Sequence, residues 1–199
     1  MAMSNPFSSN DDLVKQSDDI ERGLRFMSDE SALRNSVVRM HFMLSKAPQE
    51  YAIEYGPSDN FILPPEPEFE TTSMSKEEED KLAKLNKDTN MKFNKVQEFQ
   101  DSNTEVSDNV KIIGIGSGSS KRFKSTGDAS IYSFASGEKD DALVILANDE
   151  SVISLEILPF TNKIERKMVK LETSGNRELI DLQNEKAKEI FEQWLKDKK

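Results

Sequence analysis

The chain has no cysteine. No disulfide framework and no thiolate metal site can form. It has one histidine, His41, which leaves almost no room for histidine metal sites or the common nucleophile–base pairs. No window approaches eighteen apolar residues, so no transmembrane helix is expected. The segment 1–7 carries neither a basic patch nor an apolar run, and no secretory signal is expected. Positive charge is also short: the net charge is −10. Residues 1–108 hold 12 Lys+Arg against 22 Asp+Glu, and residues 109–199 hold 15 of each. The first half carries all of the excess, which argues against nucleic acid as a main partner, since phosphate needs a cationic face. The cytoplasm is the expected compartment, with the nucleus as the alternative.

Core material is scarce as well. The apolar share is 35% and the charged share 32% of 199 residues. That predicts one small domain with long extensions, part of them disordered. Residues 1–10, polar and small, read as a disordered tail. Within it, Asn5-Pro6-Phe7 resembles the tripeptide recognised by EH domains of the endocytic machinery, although chance accounts readily for three residues.

Leu13, Ile20, Leu24 and Met27 fall on one helical stripe, with Asp11 and Asp12 suited to its N-terminus. Leu33, Val37, Met40 and Leu44 suggest a second helix from about 31 to 46, stopped by Pro48. Together they predict a helical hairpin over 11–46. Residues 47–75 contain five of the seven prolines and read as an extended acidic linker. Tyr51, Tyr55, Phe61, Ile62, Leu63 and Phe69 lie in it among Glu54, Asp59, Glu66, Glu68 and Glu70. Such a stretch is either a docking peptide for a partner protein or a loop anchored on its own domain. Ser75 and Glu78 have capping-box spacing. They open a helix over 76–100, in which Leu82, Leu85, Val96 and Phe99 fit a short coiled coil or a weakly striped surface helix. Residues 101–108 are polar and read as a hinge and domain boundary.

Beyond it the period becomes that of strands: 110–116, 130–135, 142–147, 152–158, 164–171 and 177–182, separated by turn residues. Ala187, Ile190, Phe191, Trp194 and Leu195 then recur at spacings of three and four, the mark of an amphipathic helix that buries one face. Antiparallel strands feeding one C-terminal helix with a late tryptophan resemble the pleckstrin-homology-like superfold over 109–199. The resemblance implies a β-sandwich or barrel plugged by that helix, with seven strands. The seventh would lie near 121–124. The fold class expected is therefore α+β: an N-terminal helical extension plus a PH-like antiparallel β-domain closed by an amphipathic helix.

No catalytic residue, cofactor or metal is expected. His41 sits in an apolar helical pattern, where a histidine is far more often a surface or half-buried helix residue than a catalyst, and the acids at 77–80 read as a solvated helix start. The glycine-rich stretch Gly114-Ile115-Gly116-Ser117-Gly118 follows a strand but has neither the Walker nor the dinucleotide spacing. Within the PH-like resemblance, Lys111, Lys121, Arg122 and Lys124 stand where phosphoinositide-binding members place their cations. A flexible hairpin loop with solubilising charges is the favoured explanation of them. The inventory favours a non-enzymatic adaptor or subunit of a larger assembly, with other proteins bound through residues 11–100. The alternative is a peripheral membrane protein that holds phosphoinositides through loop 117–124.

Overall fold

Leu13, Ile20, Leu24 and Met27 do lie on one helix, and they form the inner wall of the main core. In the computed structural model, which describes residues 9–58, 75–96, 104–172 and 177–198, α1 (Ser9–Arg34) runs unbroken through Gly23. It ends where Asn35 takes a left-handed φ of 49°, a conformation asparagine tolerates at a helix C-terminus. The chain then enters β1 (Ser36–Met43) and turns back as β2 (Glu50–Ser58).

The helical hairpin expected over 11–46 is thus a helix followed by a strand. The error has a physical source. Val38, Met40 and Phe42 are buried on one face of β1, while Val37, Arg39 and His41 are buried on the other. A strand covered on both faces shows no clean alternation and also satisfies helical spacing. Residues 50–58 are likewise a strand and not linker. Pro57 is accommodated because the β1–β2 register slips between Ser36 and Val38, leaving Gly56 and Pro57 at a bulge.

The excursion that follows contains α2 (Lys76–Asn90), then β3 (Asn94–Lys95) and β4 (Thr104–Glu105), two short strands that pair with β2. The rest is β5 (Lys111–Ser117), β6 (Arg122–Lys124), β7 (Asp128–Ser133), β8 (Ala142–Ala147), β9 (Ser151–Ile157), β10 (Ile164–Lys170) and α3 (Leu179–Asp197). The strand anticipated near 121–124 is β6. The strand anticipated over 177–182 is instead the lead-in and first turn of α3, which begins at Leu179 after the N-cap Glu178. Six residues of alternation cannot exclude a helix, and here the helical run simply continues through Gln183, whose Nε2 donates to the Asn148 carbonyl at 2.9 Å.

The architecture is α+β, with two antiparallel sheets and a helix near each end. One sheet has the order β3-β2-β1-β7, with β4 also on β2; the other is β10-β9-β8-β5-β6. The second sheet is apolar on both faces. Ala142, Val144 and Leu146 of β8 face α1 and the first sheet, while Leu143, Ile145 and Ala147 face α3. Ala187, Phe191 and Trp194 of α3 close that outer layer. No closed barrel forms among the described residues.

The boundary expected at 101–108 does not divide the fold. Val106 and Val110 join a core that contains α1, β1 and β2 as well as β5, β7, β8 and β9. The PH-like region expected at 109–199 contributes only β7 to the first sheet, whose other strands come from the N-terminal half.

Candidate functional site

The outer face of the first sheet gathers the chain's most chemically active side chains. Alternation along β1 sends Arg39 and His41 to that face. Register then builds two rows across three strands: Glu54, Arg39 and Tyr132 in one, and Ala52, His41 and Ser130 in the other. Arg39 is 2% exposed. Its Nε lies 2.7 Å and its terminal nitrogen 2.6 Å from the same Glu54 Oε2. The Phe93 ring covers the guanidinium at 4.0 Å, and Tyr132 meets Phe93 edge-on at 5.9 Å. A burial this deep for an arginine requires such pairing. Gly56 makes room for the lid, since a β-carbon there would lie 2.5 Å from the Phe93 ring.

His41 is 7% exposed. Its Nδ1 is 2.9 Å from Ser130 Oγ, and its Nε2 is 3.8 Å from Asp128 Oδ2. Burial first, then the Arg39 charge, push the imidazole below its ordinary value, against the pull of Glu54 and Asp128. Serine, histidine and aspartate together invite comparison with a hydrolytic triad. The geometry argues otherwise. The carboxylate stands beyond hydrogen-bond reach of the imidazole, and a nearby cation lowers the basicity that a general base needs. The arrangement acts as a buried polar network holding three strands in register. From the sequence His41 reads as a surface or half-buried helix residue and Glu54 as an acid of the docking segment, while Arg39, Phe93 and Ser130 carry no functional reading. The available signal was a cation inside the apolar run 37–43, which calls for a buried partner.

Two of the expected docking residues belong to the fold. Tyr51 is 1% exposed, packs its ring 6.1 Å from Phe42, and has Gln16 Nε2 3.5 Å from its hydroxyl. Burial raises its phenol above the ordinary value. Tyr55 donates to Glu30 Oε2 at 2.8 Å and lies under the Arg34 guanidinium, 4.5 Å from its ring centroid. Both tyrosines tie β2 to α1, so neither is free to anchor a partner. The remaining docking candidates, Phe61, Ile62, Leu63 and Phe69, lie outside the described residues, as do Asn5-Pro6-Phe7 and Phe99.

The four cations proposed for phosphate do not converge. Lys111 pairs with Ala147 at the start of β5, and Arg122 pairs with Ser117 at its end. Six residues of strand separate them, roughly 20 Å. Lys121 and Lys124 stay with Arg122 at the β5–β6 turn, where Lys124 Nζ donates to the Asp128 carbonyl at 3.4 Å. The glycines here serve packing. A β-carbon on Gly114 would overlap the Phe123 ring, one on Gly116 would come within 2.6 Å of Phe191, and one on Gly118 would overlap the Asp141 carboxylate. Phe123, Phe191 and Trp194 then stack in sequence, with centroids 5.2 and 5.8 Å apart.

Comparison with protein-family models, with curated proteins and with solved structures finds no match. Among the described residues no helix is long and apolar enough to cross a membrane.

Proposed function

We infer that the chain is a non-enzymatic protein-interaction adaptor, or a subunit of a larger assembly, and that it offers its partner the excursion between β2 and β3. One observation carries this reading. β3 returns to pair with β2 at Glu54 and Tyr55, so in chain order the sequence between these two strands is an outgrowth inserted in a β-hairpin. Each described side chain of α2 from Lys76 to Asp88 is exposed, Leu85 included. A short helix whose described side chains are so largely exposed, with Thr89 near its end as the buried one among them, is marginal by itself and is completed by a partner surface. The same outgrowth carries the acids Asp59, Glu66, Glu68 and Glu70 together with Phe61, Ile62, Leu63 and Phe69. Aromatic anchors supply most of the contact energy in such interfaces, and the acids steer the segment to a basic groove. The buried, internally paired state of His41 and Arg39 supports a non-catalytic role. The test replaces Phe61, Ile62 and Leu63 with alanine in the full chain. Co-purification of the partner should be lost while the melting temperature stays within a degree or two of the parent. A large fall in melting temperature with unchanged recovery of the partner would show that the segment packs on its own domain.

A further inference from the structure

β10 forms one edge of the second sheet. It pairs with β9 in an unbroken register, from Ile164 opposite Ile157 to Lys170 opposite Ser151. Among the described residues no strand pairs with its other side. The Leu171 amide donates to the Glu150 carbonyl at 2.8 Å, which is the next rung of the same register. In an antiparallel ladder alternate residues bond across, and those between them turn their N–H and C=O groups away. Glu165, Lys167, Val169 and Leu171 therefore bond to β9. Ile164, Arg166, Met168 and Lys170 present their backbone groups outward. The far side of β9 gives the same parity. The Asn148 amide donates to the Ser151 carbonyl at 3.0 Å, so Ser151, Ile153, Leu155 and Ile157 serve β8, leaving Val152, Ser154 and Glu156 for β10.

The side chains along this edge have a definite character. Met168 is 45% and Val169 37% exposed, one on each face of the sheet. Arg166, Lys167 and Lys170 are cations, and the one acid, Glu165, is held by Lys163 at 2.7 Å. Arg166 turns to Asp18 and Glu21 of α1, the latter at 2.8 Å, which stiffens the strand against the helix. This is a local basic strip on a chain of net charge −10. We propose that the β10 edge accepts an extended acidic segment of a partner protein as an added strand. The outward backbone groups supply the rungs; Lys167 and Val169 lie on one face and Met168 and Lys170 on the other, so on each face the added segment sets one carboxylate beside a lysine and one apolar side chain beside Met168 or Val169. A second copy of β10 fits poorly, because two-fold pairing sets the cations of one copy near those of the other, and like charges across a ladder repel. Lysines on an edge are a known guard against self-pairing; the same lysines select for acid. The inference stands apart from the docking outgrowth and does not depend on it.

The test uses the full chain and a fluorescein-labelled, end-blocked peptide, Glu-Val-Val-Glu-Val-Val-Glu, whose Glu-Val-Val-Glu spacing matches Lys167-Met168-Val169-Lys170 across a ladder, with its Lys-for-Glu counterpart. Anisotropy should show the acidic peptide bound about tenfold more tightly or better, the discrimination expected of charges facing across a ladder. Bound peptide should slow hydrogen exchange at Arg166, Met168 and Lys170, leaving Lys167 and Val169 unchanged. Met168→Pro removes one outward N–H without breaking a bond to β9, as an edge strand tolerates, and should abolish binding. Should that variant fold poorly, Lys167→Glu with Lys170→Glu keeps the backbone intact and should invert the preference toward the lysine peptide. Three results would overturn the proposal: equal binding by a folded Met168→Pro chain, no binding of the acidic peptide up to about millimolar concentration, or a protein dimer that Met168→Pro dissolves.

Discussion

Arg39 and Glu54 face each other across β1 and β2, with two guanidinium nitrogens on one carboxylate oxygen. The pair lies beneath Phe93, where water cannot replace a lost partner. Glu54→Ala should therefore destabilise the chain by about 3–5 kcal/mol, because it leaves a buried cation uncompensated. Replacing both partners, Arg39→Met with Glu54→Leu, should be milder than Glu54→Ala alone. Urea midpoints of the parent and the two variants decide the matter, and a double variant less stable than Glu54→Ala would show that the burial of an unpaired charge is not the cause.

His41 makes stability depend on pH in a known direction. Its folded-state value is lowered, chiefly by burial, so near pH 6 the unfolded chain binds more protons than the folded one. Stability is then complete above the unfolded value of about 6.5 and falls as pH drops toward the folded value. Urea midpoints at pH 7.5 and 5.5 should differ in the parent and differ less in His41→Gln. An equal fall in both chains would assign the effect to other groups.

Gly116 tests the packing account of the glycine-rich stretch. Alanine normally suits a strand better than glycine. Here its β-carbon meets the Phe191 ring, and Gly116→Ala should destabilise by about 1–3 kcal/mol through overpacking. Phe191→Leu in the same chain should restore part of the loss. If Gly116→Ala proves neutral or stabilising, α3 does not rest on β5 as described.

The shared core sets the behaviour of fragments. Leu13, Ile20, Leu24 and Met27 pack with Val144, Leu146, Ile153 and Leu155 across the polar stretch at 101–108. A fragment of residues 109–199 should show no cooperative thermal transition, and mixing it with residues 1–108 should restore one. A cooperatively folding isolated fragment would reinstate the boundary that the composition suggested.

The sequence by itself determined the elements whose periodicity is set locally. The stripe of α1 and the three-four spacing of Ala187, Phe191 and Trp194 follow from helix geometry alone. So do five of the strands after residue 109, since β-branched runs bounded by turn residues have few other solutions. The α+β class was legible for the same reason. Residues 50–58 were not, because proline and acids made them read as linker, nor were residues 31–46, whose apolar residues satisfy two periods at once. Only the pairing partners break that tie: Glu54 opposite Arg39, 15 residues on, and Ser130 beside His41, 89 residues on. The tertiary structure alone decided that Tyr51 is buried and Tyr55 half-buried, that three glycines make room for Phe123, Phe191 and Asp141, and that Lys111 stands apart from Lys121, Arg122 and Lys124. Each of these depends on contacts between residues distant in the chain, and a one-dimensional pattern records spacing along the backbone but not proximity across a sheet.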